Sequence, residues 1–323
     1  MHNKAVIAAL LANVGIAVTK FVAWLVTGAS SMLAEAIHST ADSGNQLLLL
    51  VGAERSRRRP TEKHPFGFGQ ERYLYGFIVA VVLFSIGGLF ALYEAYHKYQ
   101  DVHAGLPNPL LDSSWWWVAL VVLVAAMVME ALSFRTAIRE SNLVRGAKSW
   151  PAFIRGAKAP ELPVVLLEDF AALFGLSFAF VGIGLTLLTG NGYFDAVGTA
   201  AIGLLLVSVA VVLAIETKSL LVGEAATTDA VARIRAAIED TDGVQRVIHL
   251  KTLHLGPEEL LVAAKVAVAH DDTAVSVAAA IDAAERAIRS AEPAASTIYL
   301  EPDIYAEGYV RDPRPKPPAA SGH

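Results

Sequence analysis

Long apolar runs separated by short polar connections occupy the first two thirds of the chain, and after Gly223 the pattern changes to short alternating and amphipathic segments. The apolar runs predict six helices of membrane-crossing length, at about Ala5 to Val26, Ser31 to Ala53, Tyr73 to Tyr96, Trp115 to Arg135, Leu162 to Leu188 and Ala196 to Leu220. Beyond them, the period of the apolar positions predicts a helix over Asp229 to Glu239, strands over Val244 to Leu255 and Leu260 to Ala269, a helix over Ser276 to Ala291 and a strand over Ser296 to Leu300. The expected fold class is therefore an α-helical membrane protein of six transmembrane helices followed by a small α+β (αββαβ) cytoplasmic domain. The expected divisions are residues 1–222 for the six-helix transport domain, 223–302 for the αββαβ domain and 303–323 for a disordered, proline-rich tail.

Charge gives the helices a direction. Arg55, Arg57, Arg58, Arg59 and Lys63 lie between the second and third spans, and Arg139, Arg145, Lys148, Arg155 and Lys158 between the fourth and fifth, whereas residues 28–30 and 190–194 carry no positive charge. The positive-inside bias then places both termini on the cytoplasmic side. Trp115, Trp116 and Trp117 open the fourth span on the other side, where indole rings anchor at the headgroup level. Met1 to Lys4 leads into the first apolar run without a cleavage pattern, so that run is expected to persist as helix one of a multi-pass, inner-membrane protein.

Composition agrees and narrows the chemistry. Of 323 residues, 54% are hydrophobic and only 18% charged, with a mean hydropathy of +0.48, against about a quarter charged in soluble chains. There is no cysteine, which removes disulfides and thiolate ligands, so any metal must be held by nitrogen and oxygen. The net charge of −5, with basic residues beside the spans rather than along one face, argues against nucleic-acid binding. From Glu224 to Glu301 there are 13 acidic and 7 basic residues, which suits a water-exposed domain.

Ionisable residues inside a span lose water and mark ion or proton paths. His38 and Asp42 stand four apart in the second span, stacked on one face, with Glu35 three residues before His38. One imidazole and one carboxylate a turn apart make half of a tetrahedral site, and the other ligands must come from elsewhere. The fifth span supplies Glu168 and Asp169. Neighbours on a helix point about 100° apart, so Asp169 is the better ligand. Glu168 either reaches round on its longer stem, serves the proton path, or lies near the membrane surface paired with a base. Asn13, Glu130 and Asp195 are weaker candidates, more in keeping with helix packing or capping.

His38-Ser-Thr-Ala-Asp42, His64-Pro-Phe-Gly-Phe-Gly-Gln-Glu-Arg72, the acidic fifth span and Leu220-Leu-Val-Gly223 before an αββαβ unit resemble the cation diffusion facilitators. The resemblance covers nearly the whole chain. The Glu168-Asp169 pair and Gln46-Leu-Leu-Leu-Leu50 look most like the branch containing a mitochondrial zinc transporter of animals. It implies a non-enzymatic efflux transporter exchanging a divalent cation for protons by alternating access, with His38, Asp42, Asp169 and Glu168 as the metal site and a homodimeric state. It also implies departures. Val165 stands where the family's fifth span carries a first His or Asp, Phe68 stands where a second loop histidine would accompany His64, and Lys265 and Tyr299 stand where the soluble domain would hold metal beside His249. The soluble domain is thus expected to dimerise without holding much metal, and His254 and His270 are expected on the surface.

The expected substrate is zinc, with iron, cobalt, nickel and manganese as further candidates and manganese disfavoured by the imidazole. No cofactor is expected; the partners are the metal ion, protons, the lipid bilayer and a second copy of the chain. Two rivals remain at this stage. One is an intramembrane metal-dependent hydrolase, for which the chain lacks a His-Glu-x-x-His motif. The other is a membrane scaffold with a vestigial ion path.

Overall fold

The computed structural model describes residues 2–306, with side chains from Asn13 onward, and the chain divides between Val222 and Gly223 into two compact units. The proline-rich tail expected over residues 303–323 lies, from residue 307, outside the described residues.

The first unit is helical. α1 (His2–Thr27) and α2 (Ser30–Ser56) are joined at Gly28, whose φ of 66° and close approach to Pro109 leave no room for a side chain. α3 (Glu71–Val82), a π-helical turn (Leu83–Leu89) and α4 (Phe90–His103) form one continuous 33-residue rod. α5 (Pro109–Asp112), α6 (Trp116–Arg145), α7 (Trp150–Gly156), α8 (Glu161–Thr189) and α9 (Tyr193–Val222) follow. The 33-residue rod, α6, α8 and α9 are each long and apolar enough to cross a membrane. The short α5 and α7 go beyond the sequence expectation; each has a proline in its first turn and a side-chain cap, from Asn108 and Ser149.

α2 is long enough to span but too polar to face lipid, and the packing hides it. It lies against α1 and α3 on its flanks and reaches α8 and α9 across the bundle. Glu35, His38, Ser39 and Asn45 are buried along it. The first turn of α2 has no cap of its own, and Asp195 of α9 supplies one: Oδ2 accepts from the Ser30 amide at 3.0 Å, and Oδ1 from the Ser31 amide at 3.3 Å and the Ser31 hydroxyl at 2.5 Å. A carboxylate there also meets the positive end of the helix dipole. Thus the capping role expected for Asp195 is met, though for a different helix.

Two contacts set how closely the helices approach. α8 and α9 cross at Gly182 and Gly198, where a methyl group would stand 2.9 Å from the carbonyl oxygens of Phe194 and Phe178 respectively. Small residues are what allow helix backbones to touch in lipid. Between α1 and α2, Lys20 donates to Glu35 Oε2 at 3.0 Å and to Ser39 Oγ at 2.7 Å, with both charged side chains wholly buried.

The second unit has the expected αββαβ order: α10 (Thr228–Glu239), β1 (Arg246–Gly256), β2 (Glu259–Ala267), α11 (Ala274–Ala291) and β3 (Thr297–Asp303). β1 and β2 form an antiparallel hairpin, and α11 carries the chain across to place β3 parallel to β2, giving the order β1-β2-β3. Alternate residues of β2, Leu260, Val262, Ala264 and Val266, are buried against Ile234 and Ile238 of α10 and Ile288 of α11. β3 runs three residues past the expected Leu300, to Asp303.

Gly198→Val overpacks the α8–α9 crossing and is expected to lower stability by about 1–3 kcal/mol, read as a lower midpoint in thermal unfolding of the detergent-solubilised protein. Lys20→Met leaves Glu35 buried without its cation, a loss of about 3–5 kcal/mol; the same measurement on Lys20→Met with Glu35→Gln should recover most of it.

Candidate metal centre

α2, α6 and α8 bring a set of acids together. A cavity of about 90 Å³ is lined by Asp42 and Gln46 of α2, Glu130 and Ser133 of α6, Val165, Glu168 and Asp169 of α8, and Asn13 of α1. The polar lining follows from helix period: Asp42 and Gln46 are one turn apart, as are Val165 and Asp169, so each pair shares a face. Three of the four residues named from sequence, Asp42, Glu168 and Asp169, therefore converge, and Glu130 and Asn13, the weaker candidates, join them.

Each acid of α8 is held by a neighbour. Glu168 Oε1 accepts from Asn45 Nδ2 at 2.6 Å, and Asp169 Oδ2 accepts from Ser133 Oγ at 2.8 Å. Glu168 is buried, so the alternative of a surface acid paired with a base is not what the bundle contains. Its longer stem lets it reach the same cavity as Asp169 despite the angle between adjacent positions. Val165, one turn before Asp169, also lines the cavity.

His38 is placed differently. Its ring is buried one turn before Asp42 but does not line the cavity. Nδ1 lies 3.4 Å from Asp42 Oδ1 and 4.0 Å from where a Cβ of Gly87 would be, so the imidazole sits against the glycine of the π-helical turn. A Cβ at position 87 would stand 3.3 Å from the Leu206 side chain and in ordinary contact with the imidazole, so the ring packs on the π-helical turn, and such turns often occur at functional sites. Among the described residues neither ring nitrogen has a hydrogen-bond partner, nor do Asp42 Oδ1, Asn45 Oδ1 and Glu35 Oε1. Buried polar atoms are rarely left unpaired. Of these residues Asp42 lines the cavity, while Glu35, His38 and Asn45 lie along α2 outside its lining. Among the described residues, no three His, Asp or Glu side chains stand close enough to hold one ion at once.

Sequence reasoning missed Lys20, Gln46, Asn45 and Ser133. The lysine was visible as the one charged residue of the first apolar run; the other three are common polar residues, and only the approach of α2, α6 and α8 distinguishes them.

The remaining histidines are distributed as follows. His64 packs its ring on Phe68, with centroids 4.8 Å apart, and Arg72 of the same motif donates to Glu161 at the start of α8. In the second unit, His249 of β1 pairs in the ladder with Lys265 of β2. Lys265 in turn meets Asp303 at 2.7 Å and Glu301 at 3.2 Å on β3. These bonds, to Asp303 first, hold the lysine's pKa above its ordinary value, and the lysine holds that of Asp303 below the usual carboxylate range. A lysine thus occupies the charge of both acids. His270 is exposed as expected, but His254 is not: it is buried at the end of β1, with Nδ1 3.3 Å from the Gly256 carbonyl and its amide bonded to Glu224. It lies on the same strand face as buried Leu250 and opposite buried Leu260 of β2, so alternation within the paired strand carries the ring inward.

Comparison with known proteins follows the same division. A family model described as the cation efflux transmembrane domain matches residues 6–222, and one described as the cation efflux protein cytoplasmic domain matches residues 226–303. The Xenopus laevis protein named proton-coupled zinc antiporter SLC30A9, mitochondrial, is 33% identical over 82% of this chain and 46% of its own length. Metal tolerance protein C4 of Arabidopsis thaliana is 29% identical over 79% of this chain and 54% of its own. The manganese efflux system protein MneP of Bacillus subtilis is 23% identical over 81% of this chain and 82% of its own. The chain spans about half the length of the first two relatives. With one cation efflux model matching its helical bundle and the other its terminal αβ unit, the chain belongs to the cation efflux family.

Proposed function

We propose that the protein is a divalent-cation efflux carrier that exchanges metal, zinc foremost, for protons by alternating access. The observation that carries this reading is the convergence of Asp42, Glu168, Asp169 and Glu130 on one polar cavity between the helices, beside which Asp42 Oδ1 and both His38 ring nitrogens are buried without a hydrogen-bond partner among the described residues. Carboxylates in such a place need a cation or protons, and one set of ligands that takes either in turn couples the two fluxes. The family is one of transporters, which sets the hydrolase reading aside.

Under this reading α1 and α2 complete six spans, both termini face the cytoplasm of an inner membrane, and the unit from residue 223 pairs with that of a second copy. The metal is held by Asp42, Asp169 and Glu168, with His38 turning from Gly87 toward Asp42 to add its nitrogen. The match to relatives named for zinc antiport and manganese efflux supports a transition-metal substrate. The π-turn beside His38 is the natural place for the rod it interrupts to bend as the site opens alternately.

The position of His38 favours a specific second outcome. A cavity lined by oxygen alone suits harder ions such as manganese, whereas an added imidazole suits zinc. Selectivity thus rests on whether His38 joins the site.

In sealed vesicles with an imposed pH gradient, Asp42→Ala and Asp169→Ala are expected to reduce zinc uptake to the level of protein-free vesicles while leaving the protein folded. Asn45→Ala, which removes only the group orienting Glu168, should cost about 10–100-fold. Uptake unchanged in both aspartate variants would place the site elsewhere. In the same vesicles His38→Ala is expected to lose more zinc than manganese transport, lowering the zinc-to-manganese rate ratio by about tenfold or more, as befits loss of one nitrogen ligand; an unchanged ratio would leave His38 outside the site.

A further inference from the structure

A second cavity, of about 340 Å³, lies between α6, α7 and α8. It is walled by Phe134 and Ile138 of α6, Trp150 and Ile154 of α7, and Leu166 and Phe170 of α8. The size is within the range of small-ligand sites. Five of these six side chains are only half-buried, so the recess opens outward. Its walls offer almost nothing for a polar ligand to bond. α6 and α8 are membrane-length apolar helices, which makes hydrocarbon the medium available to fill it.

The rim has the opposite character. From Arg135 to Glu161 there are six basic residues, Arg135, Arg139, Arg145, Lys148, Arg155 and Lys158, and two acidic ones, Glu140 and Glu161. Glu161 is already bonded to Arg72. Arg139 and Arg155 directly follow the wall residues Ile138 and Ile154, are exposed, and make no hydrogen bond or ion pair among the described residues. The Arg145 guanidinium lies over the Trp150 ring, 4.3 Å from its centroid, and is tethered to the Asn142 side chain and the Lys148 carbonyl rather than to a carboxylate. A basic rim around an apolar recess between membrane helices, with an indole at its edge, is the chemistry of an anionic headgroup above an acyl chain.

We propose that this cavity binds an anionic phospholipid, with an acyl chain in the recess between α6, α7 and α8 and the headgroup phosphate held by Arg139, Arg145 and Arg155. Arginine suits the role because its planar fork bonds phosphate oxygens in pairs. Leu166 and Phe170 flank Glu168 and Asp169 on α8, so the lipid packs on the same turns that carry the two acids of the metal centre.

The test is native mass spectrometry of the full-length protein released from detergent after incubation with an equimolar mixture of phosphatidylglycerol and phosphatidylcholine. The protein is expected to retain phosphatidylglycerol about tenfold or more over phosphatidylcholine. Arg145→Gln with Arg155→Gln should bring the two lipids to parity, and Ile154→Trp, which fills the recess, should reduce retention of both; a lipid-free thermal midpoint close to that of the parent shows that each variant is folded. Should Ile154→Trp fail to fold, the arginine pair decides the matter alone. Equal retention of both lipids by the parent protein, or unchanged preference in the arginine variant, overturns the proposal. So does a change of oligomeric state in place of lipid loss, since that makes the recess an interface between copies.

Discussion

An ionisable stripe inside an apolar bundle is the constraint from which the rest of this molecule follows. Glu35, His38 and Asp42 occupy one helix, and none of them is tolerable against hydrocarbon without a partner. The bundle answers by placing α2 against α1 and α3 and across from α8 and α9: Lys20 of α1 meets Glu35, while Asn45 of α2 reaches Glu168 of α8 and Ser133 of α6 holds Asp169. The stripe is also divided in two. Its first half is a buried ion pair in which Lys20 is bonded to Glu35 Oε2. Its second half, at Asp42, opens on a cavity lined by four acids and no cationic side chain among the described residues.

The scaffold around that cavity joins an apolar core, with Met32, Leu83, Leu176, Ile202 and Leu206 buried in it, to small residues and caps. Gly182 against Gly198 lets α8 and α9 touch backbone to backbone, Gly87 sits in the π-helical turn against the Leu206 side chain and the His38 ring, and Asp195 fixes the start of α2 from a different helix. Where lipid is as apolar as the side chains, close approach and interhelical hydrogen bonds replace the hydrophobic drive of a water-soluble core. The second unit is built the other way, with a conventional core of Ile234, Val262, Ile288 and their neighbours beneath a three-stranded sheet. There Lys265 pairs with both acids of β3, Asp303 and Glu301.

Much of this was readable from residue order. Apolar runs set the long helices, because helices satisfy their own backbone groups and the length of a bilayer sets their size. Alternation set the strands, and the βαβ order followed from the helix between the second and third. Spacing placed Asp42 and Gln46 on one face of α2 and Val165 and Asp169 on one face of α8, since a helix repeats every 3.6 residues whatever surrounds it. The basic loops, one of which follows the apolar recess walls in sequence, were equally plain.

The tertiary structure alone decided which of the candidate acids meet. Glu130 and Asn13 join the cavity, His38 stands outside it, and Asp195 belongs to a cap, although in sequence all four are simply polar residues within or beside apolar runs. The burial of His254 is of the same kind, set by its pairing opposite Leu260 in the hairpin. Local spacing determines the face a side chain takes on its own helix, because that depends only on backbone geometry. Whether two faces from different helices share a cavity depends on rotation and crossing of the helices, and those are set by long-range packing at positions such as Gly182 and Gly198 that carry no signature of the chemistry they arrange.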